Sequence, residues 1–186
     1  MGRVHIMNLF IGPHNDDLEL FCSYSILREK NKLAIVVTDS FIQPNRGEIG
    51  CSAEERREET INAMAILKCP VVFLGIKDTE LTERIFRERI RPFVGMFEKI
   101  YAPYVQEGNS QHDIIGSICR EVFPSISRYT TYTKTELWTK GDIEVVPTEE
   151  EKYLKTQALN CYKSQILLPS TRPHFEAVVN RSEWLV

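Results

Sequence analysis

One segment, residues 33–38, constrains the fold of this chain more than any other. Its sequence, LAIVVT, is apolar up to the final threonine and rich in β-branched side chains. Strands that are buried on both faces have this composition, and they occur in parallel sheets covered by helices on both sides. The segment therefore predicts a central strand of a parallel sheet in an α/β protein.

Strand and helix patterns alternate along the rest of the chain. Shorter apolar or β-prone runs predict strands at residues 5–11, 71–74, 99–102 and 127–138. Apolar residues at helical spacing predict helices at 17–30, 79–98 and 114–122, and capping-box pairs predict helix starts at Ser52 and Thr148. Residues 167–186 show no strong period. The alternation predicts a Rossmann-like, three-layer α/β/α fold with a mostly parallel sheet, in a single domain over residues 1–186.

Composition narrows the classes of function. With 186 residues, a formal net charge of −3 and a pI of about 5.9, the chain has no basic surplus for nucleic acid. No apolar run reaches the roughly 18 residues of a membrane span, and the N-terminus lacks the apolar core of a signal peptide. Five widely spaced cysteines without a CxxC pair predict neither a disulfide framework nor a zinc knuckle. We expect a cytoplasmic protein, either monomeric or homo-oligomeric.

The loop after the first predicted strand contains several residues that can bind a metal ion or accept a proton. It reads Gly12-Pro13-His14-Asn15-Asp16-Asp17-Leu18-Glu19. His14 and Asp17 offer nitrogen and oxygen ligands that zinc accepts, and Asp16 between them is free to deprotonate a water. The alternative is structural: Asp17 would cap the following helix and His14 would be a surface residue.

A catalytic zinc site needs a third protein ligand and an open position. The chain has four histidines. His5 lies inside a predicted strand and His174 in the irregular tail. His112 begins an amphipathic helix after the fourth predicted strand, which in a doubly wound sheet lies beside the first. His112 is therefore the histidine whose predicted position best suits a third zinc ligand. The alternative is that it is an ordinary residue at the start of a helix.

These motifs follow the order found in a known family. The first loop resembles the P-H-P-D-D-E signature of the PIG-L/LmbE-like zinc N-deacetylases, and the turn ending at His112 resembles the family's H-x-D-H segment. Weaker similarities lie at Thr38-Asp39, Arg56-x-x-Glu59, Val72-Phe73-Leu74-Gly75, Asp142-Ile143 and Tyr162-Lys163-Ser164-Gln165.

The resemblance implies a fold, a reaction and roles for particular residues. His14, Asp17 and His112 would bind Zn²⁺, with another divalent metal as an alternative, and Asp16 would be the general base. Arg56 would hold a substrate hydroxyl or an anionic group, unless it is only a solvated charge. The implied reaction removes an N-acetyl group from an N-acetylglucosaminyl-type sugar conjugate, releasing acetate and an amine.

The chain departs from the family pattern at three positions. Asn15 replaces a proline, and Gln111 replaces a carboxylate before the ligand. Asn109 replaces the first histidine of H-x-D-H; its amide can contact substrate and stabilise an oxyanion, but it cannot act as a general acid at neutral pH. Asn15 should be tolerated, but Asn109 and Gln111 favour a rival hypothesis, a catalytically weakened metalloprotein that binds sugar or nucleotide conjugates. A magnesium- and phosphate-binding module is a third hypothesis, although no glycine-rich phosphate loop is present.

Overall fold

A computed structural model of the chain describes residues 7–40 and 50–186. The prediction for His5, at the start of the predicted strand 5–11, lies outside this part, as do residues 41–49. The described residues form a seven-stranded sheet with strand order β3-β2-β1-β4-β5-β7-β6. The strands are β1 (Asn8–Gly12), β2 (Lys32–Asp39), β3 (Val71–Lys77), β4 (Lys99–Pro103), β5 (Ile126–Tyr129), β6 (Ile143–Val145) and β7 (Glu183–Leu185).

The sheet is mostly parallel. β1 pairs in parallel with both β2 and β4, β2 with β3, and β4 with β5. Only the short strand β7 runs in the opposite direction, so its pairings with β5 and with the edge strand β6 are antiparallel. The chain thus builds β1, β2 and β3 in one direction and then places β4 on the other side of β1. In doubly wound sheets, ligands bind at such a reversal of strand order, beyond the carboxyl ends of the strands.

Helices cover both faces of the sheet. They are α1 (Asp17–Phe21), α2 (Ser23–Arg28), α3 (Ala53–Ile66), α4 (Glu83–Ile90), α5 (Ser110–Val122), α6 (Glu149–Leu159), α7 (Lys163–Ile166) and α8 (Arg172–Val178). On β1, Phe10 packs into the core shared with α1, α2, α3, α6 and α8. Its neighbours Leu9 and Ile11 pack into the opposite core with α4 and α5. The predicted three-layer α/β/α fold is therefore confirmed.

The differences from the sequence prediction have local causes. Of the predicted strand 127–138, only the part up to Tyr129 forms, as β5. Beyond it the chain folds back on itself, and the Thr139 N–H donates to the Thr131 carbonyl. The predicted helix 79–98 shrinks to α4 between 3₁₀ turns, consistent with Pro92 lacking an N–H. The helix predicted at 17–30 divides at Cys22 into α1 and α2.

The tail without periodicity is ordered by long-range contacts: it contains α8 and β7. All five cysteines lie in the described part and are free thiols. Among the described residues, no helix combines the length and the apolar character needed to cross a membrane.

Candidate metal centre

Backbone and side-chain bonds fix the loop that follows β1. Thr38, near the end of β2, donates two hydrogen bonds to the carbonyl oxygen of Pro13, one from its backbone N–H and one from its hydroxyl. Each donor–acceptor distance is 2.9 Å. The backbone N–H of His14 donates to Asp17 Oδ2 at 2.8 Å. Asn15 is fully buried, and its side-chain amide donates to Thr60 on α3. The asparagine thus anchors the loop to a neighbouring helix.

Helix α5 brings His112 to the same edge of the sheet. The Asn109 side chain accepts from the backbone N–H of Gln111 and caps the helix, which begins at Ser110. Gly116 lets α5 lie close to β4, since a Cβ at this position would overlap the carbonyl oxygen of Pro103. His112, in the first turn, is only 2% exposed. Because β4 lies beside β1, the two loops meet.

The three predicted ligands converge on one point. His14 Nδ1 lies 2.9 Å from Asp17 Oδ2, His112 Nε2 lies 3.1 Å from the same oxygen, and the two imidazole nitrogens are 3.2 Å apart. Ligands about 2.0–2.1 Å from a tetrahedral zinc stand roughly 3.3 Å from one another. The triangle fits one small divalent cation with little adjustment, and its two-nitrogen, one-oxygen donor set is of the type found in catalytic zinc sites.

Hydrogen bonds to the far sides of the rings favour this arrangement. His14 Nε2 contacts Gln111 Oε1, while Gln111 Nε2 donates to the carbonyl of Asp78 at 2.8 Å. Because that carbonyl can only accept, the amide orientation is fixed and His14 Nε2 must donate. His14 Nδ1 is then the ring nitrogen that faces Asp17 and His112 and that a cation would contact. On His112, Nδ1 faces the Thr131 hydroxyl at 3.4 Å, which leaves Nε2 for the shared point.

The electrostatics of the cluster reflect three ionisable groups packed together. Burial acts to lower the pKa of His14, but Asp17 and the bond to Gln111 outweigh it and raise the pKa to about 9. Burial acts to raise the pKa of Asp17, but the two imidazoles hold it well below its ordinary value. A proton held by His14 is therefore the group that a cation displaces on binding.

Asp16 and Arg56 form an ion pair beside the three ligands. Arg56, in the first turns of α3, places a guanidinium nitrogen 3.2 Å from Asp16 Oδ2, and both side chains are largely buried. Burial raises the pKa of Asp16 while the guanidinium opposes that rise. Arg56 Nε has no partner among the described residues. The structure therefore brings Arg56 to the site, where it contacts the expected base.

A pocket of about 130 Å³ opens beside the ligands. Its lining includes His14, Asp16 and Asp17 from the first loop, together with Tyr132 and His174. The His174 ring packs edge-on against Tyr132 at a centroid distance of 4.9 Å. Sequence reasoning placed His174 in an irregular tail and missed it, because its position depends on tertiary packing of α8.

Asn109 lies near this pocket but has other partners. Besides capping α5, its amide donates to the Tyr132 hydroxyl at 3.1 Å. A larger groove of about 980 Å³ lies between α3 and the α6–α7 region. None of the three ligands is among the described residues that line this groove, so the chemistry belongs to the smaller pocket.

Comparison with known proteins identifies the class of this fold and site. The sequence model of the PIG-L family, described as GlcNAc-PI de-N-acetylase, matches residues 9–123. This match covers more than half of the chain and includes all three candidate ligands. The protein belongs to the PIG-L family. A comparison with curated proteins gives no match.

Solved structures share the fold at low sequence identity. N,N'-diacetylchitobiose deacetylase from Pyrococcus horikoshii superposes with a TM-score of 0.73 at 18% identity, covering 97% of this chain and 82% of that one. Teicoplanin deacetylase Orf2, in a zinc-inhibited form, gives 0.72 at 14% identity, covering 96% and 97%. The 4-carboxy-2-hydroxymuconate hydratase of Pseudomonas putida KT2440 gives 0.67 at 13% identity, covering 97% and 95%. The fold thus carries more than one reaction.

Proposed function

We propose that this protein is a metal-dependent N-deacetylase that acts on a small N-acetylated sugar conjugate. One observation carries the proposal: the donor atoms of His14, Asp17 and His112 lie 2.9–3.2 Å apart beside a pocket that also contains Asp16. Family membership supports the reaction class, and two fold relatives are deacetylases by description. The chain would act as one domain, since β6 and β7 extend the same sheet.

Each residue of the pocket has a defined task in this reaction. A divalent cation, with zinc as our first choice, would act as a Lewis acid and lower the pKa of a water in its open position to about 7. Asp16 would accept a proton as the water oxygen attacks the acetamide carbon. When the C–N bond breaks, Asp16 would return that proton to the departing nitrogen, giving acetate and a free amine. Arg56 would orient Asp16 and contact a substrate hydroxyl or anion.

The pocket size limits the substrate. A volume of about 130 Å³ accommodates an acetamide and part of a sugar ring, whereas pockets for drug-sized ligands measure roughly 300–1,000 Å³. The remainder of a conjugate would therefore extend out of the pocket. A low net charge, −3, fits a small-molecule substrate better than a polyanion.

Asp16→Asn tests the assignment of the base. The variant keeps the size of the side chain but removes the proton acceptor, so we expect unchanged metal content and a loss of acetate release of about 100-fold or more. Acetate would be measured on a panel of N-acetylglucosamine glycosides, with and without chelator. Wild-type rates in the variant would exclude Asp16 as the base.

His112→Ala tests the metal centre itself. Loss of one of three ligands should lower zinc occupancy by at least tenfold in elemental analysis, and acetate release should fall with it. Glu176→Gln, an exposed change on α8, serves as the control and should retain both. Full zinc retention in His112→Ala would place the third ligand elsewhere.

A second candidate function is binding without turnover. Asn109 replaces the family's first H-x-D-H histidine, and its side chain is engaged by α5 and Tyr132. A protein that lost this group could retain the metal and bind an N-acetylated sugar or nucleotide conjugate. Metal-dependent ligand binding in the absence of acetate release across the panel would favour this function over hydrolysis.

A further inference from the structure

The Tyr132 hydroxyl carries a hydrogen for which no described residue is an acceptor. Asn109 Oδ1 accepts from the backbone N–H of Gln111 at 2.8 Å, which fixes the orientation of the Asn109 amide. Asn109 Nδ2 can therefore only donate, and its partner at 3.1 Å is the Tyr132 hydroxyl oxygen. A tyrosine hydroxyl has one hydrogen and keeps it at neutral pH. Since Tyr132 accepts in this bond, its own hydrogen is available to a ligand.

The Tyr132 ring is held in place as part of the pocket wall. Three rings pack against it, at centroid distances of 6.0 Å to Phe21, 5.2 Å to His112 and 4.9 Å to His174. Tyr132 shares the pocket lining with the loop that follows β1, and its hydrogen bond to Asn109 is only partly buried. The side chain is therefore a fixed hydrogen-bond donor beside the candidate metal centre.

We propose that Tyr132 donates its hydroxyl hydrogen to the C3 hydroxyl of an N-acetylglucosaminyl substrate and so contributes to substrate specificity, a role that rests on the deacetylase function proposed above. The acetamide of such a sugar is attached to C2. In a glycoside the neighbouring C1 carries the glycosidic bond, so the C3 hydroxyl is the free hydroxyl next to the reacting group. It can accept from Tyr132 and still donate to another group.

Asn109 determines the direction of the hydrogen bond with Tyr132. An amide N–H at this position makes the Tyr132 oxygen an acceptor and leaves its hydrogen for the substrate. A carboxylate would reverse the bond, because it can only accept and would take the hydroxyl hydrogen itself. Aspartate caps helices as well as asparagine does. Asn109→Asp therefore changes the direction of the bond while keeping the cap of α5.

Kinetics on paired substrates test the role of Tyr132. Acetate release is measured on an N-acetylglucosamine glycoside and on its 3-deoxy analogue, together with zinc content. For the glycoside, Tyr132→Phe should raise KM about 5- to 10-fold through loss of one hydrogen bond, with kcat within about twofold and zinc content unchanged. For the 3-deoxy analogue, the variant and the wild type should have equal KM. Tyr153→Phe, which loses an exposed hydroxyl on α6, is the matched control and should behave as wild type.

Asn109→Asp tests the direction of the bond without removing a ring. It should raise KM for the glycoside by a similar factor, because the Tyr132 hydrogen is then held by the carboxylate. The double variant Asn109→Asp/Tyr132→Phe should have the same KM as Tyr132→Phe, since both changes remove one donor. Additive increases in KM would mean that the two residues act independently, and would overturn the proposed role.

The outcomes distinguish the role of Tyr132 from the deacetylase function. An active wild type with the same KM for the glycoside in Tyr132→Phe would overturn the role alone, as would a KM increase that persists with the 3-deoxy analogue. Lower kcat and zinc content at unchanged KM would show that Tyr132 only supports the metal centre. A wild type that binds zinc but releases no acetate from any glycoside would overturn the function and the role together. Should Tyr132→Phe fail to fold by circular dichroism, the wild type decides, because its KM should be about 5- to 10-fold higher for the 3-deoxy analogue than for the glycoside.

Discussion

At the scale of single residues, Gln111 controls how the first imidazole is presented to a cation. Its Oε1 accepts from His14 Nε2, and its amide is held by the Asp78 carbonyl after β3. Carboxylates that accept from a ligand histidine make the ring a stronger donor. A neutral amide fixes the same tautomer and orientation with less charge donation. Gln111 therefore positions His14 as a candidate ligand, and the site would bind a metal less strongly than it would with a carboxylate at this position.

Substitutions of Gln111 test this positioning role. Gln111→Ala should weaken zinc binding about tenfold or more, because His14 loses the partner that fixes its tautomer. Gln111→Glu should bind zinc more tightly than wild type, since a carboxylate accepts the same bond. Competition with a chromophoric chelator measures both affinities. Equal zinc affinity in Gln111→Ala and wild type would show that Asp17 alone orients the ring.

At the scale of elements, the sequence was sufficient where short-range rules decide the structure. Both capping boxes, at Ser52 and Thr148, form as predicted, because the bonds involve residues three positions apart. The convergence of the three candidate ligands, His14, Asp17 and His112, was predictable from two loops and from the neighbouring positions of β1 and β4. The tail was not, because α8 and β7 are stabilised by contacts with distant elements such as the core around Phe175 and Val178. His174 was missed for the same reason.

The link between α2 and α6 predicts a pH dependence of stability. Arg28 and the capped helix start at Thr148 lower the pKa of Glu151 to about 2 from 4.5. A carboxyl group whose pKa is lower in the folded than in the unfolded protein stabilises the folded state when the pH exceeds the unfolded pKa. The contribution of Glu151 to the free energy of unfolding is therefore complete above about pH 4.5 and is lost as the pH falls toward 2. Since the Arg28 side chain is 44% exposed, solvent screens the pair, and we expect the Arg28–Glu151 interaction to contribute about 1 kcal/mol to the free energy of unfolding.

Glu151→Gln isolates this ion pair, because glutamine also serves in a capping box. Its free energy of unfolding in urea should lie about 1 kcal/mol below wild type at pH 7, and the two curves should converge near pH 2. Glu149→Gln is the control: the Glu149 side chain, which pairs with Lys152, is 89% exposed, so the change should alter stability by less than about 0.5 kcal/mol. A difference that does not vary with pH would mean that charge is not its source.

At the scale of the whole molecule, the C-terminal strand is joined to the interior by a buried ion pair. Lys155 on α6 and Glu183 on β7 lie 2.9 Å apart, and each side chain is 2% exposed. Lys155 also donates to the Leu20 carbonyl of α1, and Glu183 accepts from the Tyr24 N–H of α2. One pair thus connects the β6–β7 edge of the sheet with the helix that follows the loop of the candidate metal centre. We infer that this edge and the candidate metal centre unfold together.

Lys155→Met tests this connection, because it strands a buried carboxylate beside α1. Removing one partner of a buried pair costs about 3 kcal/mol or more, whereas Lys155→Met/Glu183→Gln, which leaves neither charge, should recover part of that loss. Lys152→Met is the matched control on the same helix: its partner Glu149 is 89% exposed, so the change should cost less than about 1 kcal/mol. Trp138 and Trp184 report on the C-terminal edge by fluorescence, and release of bound zinc reports on the metal centre. In Lys155→Met both signals should shift to lower urea by the same amount, since a single cooperative transition links them. An edge that unfolds while zinc remains bound would show that α8, and His174 with it, can detach from the site.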